Sequence, residues 1–253
     1  MKILLTNDDG YNAPGIIALY KTLRPHHEVT LIAPDREKSA VGHGITLNEP
    51  MRIDPINLNG ENRVYAVSGT PADCIKLGLS EIFTSPPDLV ISGINPGSNT
   101  GVNINYSGTV GAAREATLNG ILSIAVSIFK KGENLDFKGV SRFVAKIVDQ
   151  IHDYALPSLT FLNINVPAVP IDEVRGIKIT RQASTNVSKY FTKRTDPKNR
   201  NYYWYSRIDN TNDEPDTDVS TLSRNYISMT PIQCDITDYK TLSELKNLYF
   251  NKK

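Results

Sequence analysis

Short apolar and β-branched runs punctuate the first two-thirds of the chain, at 3–6, 28–33, 64–67, 89–92, 123–128 and 161–166. Several are apolar throughout, the pattern of strands covered by helices on both faces. Helical patterns separate them. Pro14 opens a helix that is predicted to run to about Arg24, with Asn12 as its candidate cap. Thr70-Pro71-Ala72-Asp73 reads as cap, first-turn proline and first-turn acid, and Ile75, Leu79 and Ile82 supply a buried stripe. A third helix is predicted from near Thr109 to a stop at Asn119-Gly120. Phe137, Val140, Val144, Ile147 and Ile151 recur with the helical period. The alternation predicts an α/β fold of βαβ units with a mostly parallel sheet.

After Val166-Pro167 the pattern changes. Residues 169–179 lead into a polar, aromatic and basic stretch, 189–207, that reads as two strands about Asp196-Pro197-Lys198-Asn199. A polar, acidic loop at 209–218, a strand at 226–232 and a terminal helix at 241–250 follow. The division predicted is a catalytic domain over 1–172 and a smaller lobe or projecting arm over 173–253, with a β-hairpin and a terminal helix.

Length and composition narrow the partners. The 253 residues suit one large domain, or a core with an appended lobe. A net charge of +1 gives no global attraction to nucleic acid, membranes or acidic ligands. Cys74 and Cys234 are far apart and lack metal-type spacing, which argues against a disulfide framework or a thiolate zinc site. With no secretory pattern at the first strand and no apolar run of membrane length, the expected location is cytoplasmic.

Candidate chemistry begins where the first strand ends, at Asn7-Asp8-Asp9-Gly10. Adjacent carboxylates repel, and a hard divalent cation relieves that repulsion; a solvated turn of the Asp-Asp-Gly kind is the plain alternative. The crevice beyond the strand ends is also where open α/β sheets bind ligands. Residues 92–113 form a second unusual stretch, uncharged, with five glycines and four asparagines, Asn95, Asn99, Asn103 and Asn105. It ends in Ser107-Gly108-Thr109 before a helix of small residues, and free amides at such a terminus suit an anion. A cation beside an anion cradle suggests phosphate chemistry. Nicotinamide chemistry is disfavoured, because no Gly-x-Gly-x-x-Gly follows the first strand, and a Walker-type loop is absent too. The stretch 33–44 also follows a strand end. Ser39 there could lend an oxygen to a metal, though a lone serine is usually just a loop hydroxyl; His43 could serve as acid or base, and Arg36 or Lys38 could balance substrate charge, but solvated surface positions are the commoner home of all three.

The runs KILLTNDDGYNAPGI, VTLIAPDREKSAVGHGIT, VSGTPADCIKLGL and PDLVISGINPGSNTG, the last continuing to YSGTVGAAREAT, together resemble the SurE family of stationary-phase survival proteins. The likeness resumes at DPKNRNYYWY and DTDVSTLSRNYISMTPIQCDIT. The resemblance implies a Rossmann-like core and an arm exchanged between subunits of a homodimer or homotetramer. It implies a metal-dependent 5′/3′-nucleotidase acting on nucleoside monophosphates, with short polyphosphate as a further candidate substrate. One Mg²⁺ or Mn²⁺ per subunit would fall on Asp8, Asp9, Ser39 and Asn95. Asn95 would also face the phosphate with Ser107, Gly108 and Thr109, and Asp8 or Asp9 would accept a proton from the attacking water. Three departures stand out: Asn103 where an acid is common, Asp216 for the glycine of a GTD segment, and Asn225 for a glycine before the last strand.

Three other readings compete. A haloacid-dehalogenase type of phosphatase would place Asp-x-Asp, not adjacent acids, after the first strand. An RNA-binding module would use the six basic residues and the aromatics of 189–207, although a hairpin packing its aromatics on a partner subunit explains the same composition. A catalytically idle metal-dependent scaffold is the third.

Overall fold

The computed structural model describes residues 1–58, 60, 63–129, 135–154, 156–184, 189–207 and 214–250. Their elements, in chain order, are β1 Lys2–Thr6, α1 Pro14–Leu23, β2 Glu28–Pro34, β3 Ile53–Pro55, β4 Val64–Val67, α2 Pro71–Leu77, β5 Leu89–Pro96, α3 Gly108–Leu118, β6 Ser123–Ile128 and α4 Phe137–Gln150. These are followed by β7 Thr160–Val166, β8 Ile177–Ile179, β9 Lys189–Thr195, β10 Asn201–Arg207, α5 Asp218–Ser223, β11 Ile227–Gln233 and α6 Tyr239–Phe250.

One sheet of nine strands runs β3-β4-β2-β1-β5-β6-β7-β11-β8. From β4 to β7 every neighbour pair is parallel. The chain therefore winds outward from β1 in one direction, returns, and winds outward from β5 in the other. The cleft between the carboxyl ends of β1 and β5 is the switch point of such a sheet. The expected mostly parallel α/β architecture is what the chain adopts. Helices α1 and α4 pack together on one face, α2 and α3 on the other. Strand β1 shows why both are needed: Ile3 and Leu5 join Ile16, Leu19, Val144 and Ile147 on the first face. Leu4 joins Ile32, Ile75, Ala112 and Ala116 on the second.

Both flanks of the sheet end in short strands. Antiparallel β3 is Ile53-Asp54-Pro55, and β8, parallel to β11, is Ile177-Lys178-Ile179. Strand β11 pairs antiparallel with β7, so the region after residue 172 completes the main sheet as well as supplying the arm. The arm is β9 and β10, a separate antiparallel sheet whose turn is tied by Asp196 to the Lys198 and Arg200 amides at 2.8 and 2.9 Å.

Local chemistry explains most boundaries. Thr70 caps α2 as expected, and Asp73 makes the cap reciprocal: Asp73 N–H donates to Thr70 Oγ1 at 3.1 Å and Thr70 N–H to Asp73 Oδ2 at 2.8 Å. Helix α1, by contrast, is preceded by Ala13 without a side-chain cap, so Asn12 does not serve as expected; Pro14, with no N–H to satisfy, makes the cap less necessary. Strand β5 continues four residues past the expected end at Ser92, through a register irregularity between Ser92 and Asn95 where Gly93 sits at φ +140°. Periodicity is blind to an irregularity of that kind. The expected loop at 209–218 is described only from residue 214; it gives way to α5, where the Thr217 hydroxyl accepts the Ser220 amide at 3.2 Å. The two glycine departures also make sense. Asp216 and Asn225 have φ of 59° and 60°, left-handed values that Asp and Asn tolerate better than other side chains. No helix among the described residues is long and apolar enough to cross a membrane.

Leu19 is fully buried between α1, α4 and the sheet, whereas Leu47 is 78% exposed. Leu19→Ala should lower unfolding free energy by about 2–5 kcal/mol. Leu47→Ala should change it by less than about 0.5 kcal/mol. Urea unfolding of the two variants beside the parent protein checks both.

Candidate metal and phosphate site

Three adjacent strands, β2, β1 and β5, deliver the expected residues to one rim. The β1–β5 register pairs Thr6 with Ser92, so Asp8 and Asp9 leave β1 beside the last residues of β5, where Asn95 lies. Strand β2 flanks β1 on its other side, and its following loop carries Ser39. That loop is fastened to the acidic turn: Lys38 N–H donates to the Asp8 carbonyl at 2.7 Å. The turn itself is held by Asn7, whose side chain donates to Gly10 O at 2.9 Å and accepts the Gly10 amide at 3.1 Å.

Asp8 is only 5% exposed. Thr109 Oγ1 donates to its Oδ1 at 2.6 Å. Burial pushes the Asp8 carboxyl above the ordinary carboxylate value; the Thr109 hydroxyl and amide pull it back in part, and the nearby Glu37 charge pushes it further up. Helix α3 reaches this carboxylate because its first residue is glycine. A Cβ on Gly108 would lie 2.9 Å from Asp8 Cβ and 3.1 Å from Oδ2, closer than normal packing allows. Asp9 is half-buried, with Oδ2 out of reach of solvent.

The remaining expected residues divide by role. Asn95 Nδ2 donates to Gly97 O at 2.6 Å, which leaves Oδ1 as the end available to a cation. Ser39 is exposed and its hydroxyl donates to Glu37 Oε1 at 2.6 Å, so an oxygen lone pair stays available. Ser107 caps α3, accepting the Val110 amide at 3.1 Å, and keeps its own O–H proton to donate. Thr109 is fully buried and its hydroxyl is taken by Asp8. With that hydroxyl Thr109 buttresses the Asp8 carboxylate. Among the described residues no group of three or more His, Cys, Asp or Glu is gathered for a metal. The oxygen set expected here, with two carboxylates, an amide and a hydroxyl, is of a different kind.

The glycine-asparagine stretch is anchored by buried neutral amides. Asn99 N–H donates to Asn165 Oδ1 at 2.8 Å, Asn99 Nδ2 to Ser127 Oγ at 2.7 Å, and Asn163 Nδ2 to Asn99 O at 2.8 Å. Asn99 is therefore structural. Gly101 N–H donates to Asp218 Oδ2 at 2.8 Å, tying the stretch to α5. Sequence reading passed over Asp218, and also over the partnership of His43 with Glu115. His43 Nε2 lies 2.7 Å from Glu115 Oε2, and Lys76 Nζ and Asn119 Nδ2 lie 3.2 and 3.0 Å from Oε1. The sequence separation of 72 residues hides that pair from any local pattern.

The hydrogen bond from His43, opposed by burial and reinforced by Lys76, lowers the Glu115 carboxyl from 4.5 to about 2. A carboxylate with a depressed folded value adds stability that is complete above its unfolded value and lost as pH falls through the folded one. The stability gap between the parent and Glu115→Gln should therefore be full above about pH 4.5 and shrink between there and about pH 2. Urea unfolding at stepped pH checks this.

Comparison with known proteins shows the family. The family model described as survival protein SurE matches residues 3–189. A protein named 5′-nucleotidase SurE from Syntrophobacter fumaroxidans is 46% identical over 97% of this chain and 98% of its own length. The protein of that name from Desulfatibacillum aliphaticivorans is 48% identical over 97% of each. The crystal structure of the SurE protein from Aquifex aeolicus superposes with a TM-score of 0.86 at 39% identity, covering 98% of this chain and 99% of the other. The chain belongs to the SurE family.

Proposed function

We propose that this chain is a divalent-metal-dependent phosphomonoesterase that hydrolyses nucleoside 5′- and 3′-monophosphates to nucleoside and phosphate. The observation that carries the reading is the desolvated Asp8 carboxylate pressed against the amide end of α3 at the sheet's switch point. The relatives named 5′-nucleotidase give the reaction class. The residues suit a hard cation. Burying one carboxylate beside a second costs free energy that a cation offsets, and every donor in the set is oxygen. Asp8, Asp9, Ser39 and Asn95 would hold the ion. Bound Mg²⁺ or Mn²⁺ supplies positive charge to phosphoryl oxygens and makes water a better nucleophile.

The protein's own groups do the rest. The Gly108 amide and the Ser107 hydroxyl face the phosphoryl oxygens and stabilise the charge that grows on them as the ester bond breaks. Water attacks phosphorus in line, opposite the leaving ribose oxygen. Asp8 or Asp9 takes the proton of that water, and no covalent phospho-enzyme is needed.

The arm is proposed to pack on a second copy, giving a homodimer or homotetramer. Phe191, Tyr203 and Trp204 are 64, 58 and 62% exposed on the hairpin, and aromatics of this kind are enriched at subunit contacts.

The deciding experiment is phosphate release from a panel of 5′- and 3′-mononucleotides and tripolyphosphate, with added Mg²⁺ or Mn²⁺ and with EDTA. Mononucleotide hydrolysis should require the metal, and undiminished hydrolysis in EDTA would overturn the reading. Asp8→Asn should lower kcat by at least about a hundredfold while circular dichroism stays that of the parent. Deleting residues 189–207 should yield monomers on size exclusion; an unchanged elution volume would remove the oligomerisation role of the arm.

A further inference from the structure

The segment that carries Ser39 is fixed at its ends. At one end Lys38 N–H donates to Asp8 O at 2.7 Å. At the other, Gly42 N–H donates to Tyr106 O at 2.9 Å, one residue before the cap of α3. Thr70 Oγ1 donates to Gly44 O at 2.7 Å just beyond. Between these ties Ser39 and Ala40 are exposed and Val41 is half-buried, so the span has little packing of its own. Ala40 also sits at φ +59°, an unusual backbone state for alanine that its surroundings must impose. Where Ser39 rests is thus set by its two anchor points.

Besides the Thr70 hydroxyl, the second anchor has a side-chain tie to α3. His43 Nε2 meets Glu115 Oε2 at 2.7 Å. Glu115 is 6% exposed and stands on α3 about two turns after Gly108, on the helix whose first turn holds Asp8. The loop approaches α3 closely here, since a Cβ on Gly111 would lie 2.4 Å from Gly42 O. Lys76 and Asn119 both serve Glu115 Oε1, whereas His43 serves Oε2. Lys76 belongs to α2, outside the loop, so losing it would weaken the charge pairing without releasing Ser39.

We infer that His43 is a positioning residue: by bonding Glu115 it locks the Ser39 loop to α3, so that the Ser39 oxygen and the Asp8 carboxylate keep one spacing for a cation. This rests on the metal reading proposed above and extends it to a residue remote from the ion. Partners that orient metal-binding groups from behind typically change metal affinity about ten- to a hundredfold when lost. His43 orients its ligand through a loop and a helix rather than directly, so the lower figure applies.

The test is Mn²⁺ binding by electron paramagnetic resonance on the full chain, which needs no turnover. His43→Ala should bind Mn²⁺ roughly tenfold more weakly than the parent, and His43→Gln, which keeps an N–H donor, should recover most of that affinity. At saturating Mn²⁺ the alanine variant should turn over AMP at close to the parent kcat, separating metal affinity from chemistry. Lys76→Met should lower thermal stability and leave Mn²⁺ affinity unchanged. Parent-like Mn²⁺ affinity in His43→Ala overturns the inference, as does an equal loss in Lys76→Met, which would mark a general effect of Glu115 charge. Should the alanine variant fail to fold, weakened binding in a folded His43→Gln would count against it equally. Failure of the parent protein itself to bind Mn²⁺ would instead bring down the metal reading, and this inference with it.

Discussion

A carboxylate kept out of water at the tip of the first strand organises this molecule. Asp8 is buried at the point where the sheet reverses its winding, and the first turn of α3 stands directly over it. Such a group is stable only if donors or a cation replace its hydration. Thr109 supplies part of the replacement from the helix. The Asp8 carbonyl receives the Lys38 amide, so Asp8 joins three elements: its side chain meets α3, its main chain holds the β2 loop, and β1 carries both. Local rigidity around the strand tip is thereby concentrated in one residue.

What was legible in the sequence follows from range. Uniformly apolar runs identify the strands, since a strand between helix layers has no polar side, and the 123–128 run matches β6 residue for residue. Proline and capping signals are equally local, and Thr70 caps α2 as read. The Asp pair announces itself because like charges side by side need a reason. The divisions of labour within the site were hidden. Ser107 and Thr109 both look like hydroxyls facing an anion, yet one caps the helix and the other supports Asp8, a difference of two positions on a helical turn. The Glu115 cluster joins α2, α3 and a loop, and no spacing rule predicts a meeting of groups so far apart in the chain.

The glycine-asparagine stretch shows how composition can be right for a mixed reason. Its neutral, small character does leave amides near the crevice. Much of that polarity is nevertheless spent inward, on Asn99, Asn163 and Asn165, which satisfy one another and Ser127 beneath the loop. Asn163 Oδ1 is left without a partner, but the bonds that do form hold Asn99 to β6 and β7. These bonds pin the short segment between β5 and the 3-10 turn at Gly101–Asn105 to the sheet.

The three-residue strands that close both flanks of the sheet carry a colloidal consequence. An open β edge invites pairing with another chain, and long flat edges lead to fibrous aggregates. Here one border is interrupted by a proline and an aspartate, and the other carries a lysine between two isoleucines. Neither presents enough unsatisfied main chain to template growth. Self-association through the sheet borders is disfavoured, and the hairpin strands already satisfy each other along seven residue pairs. Assembly can then be finite.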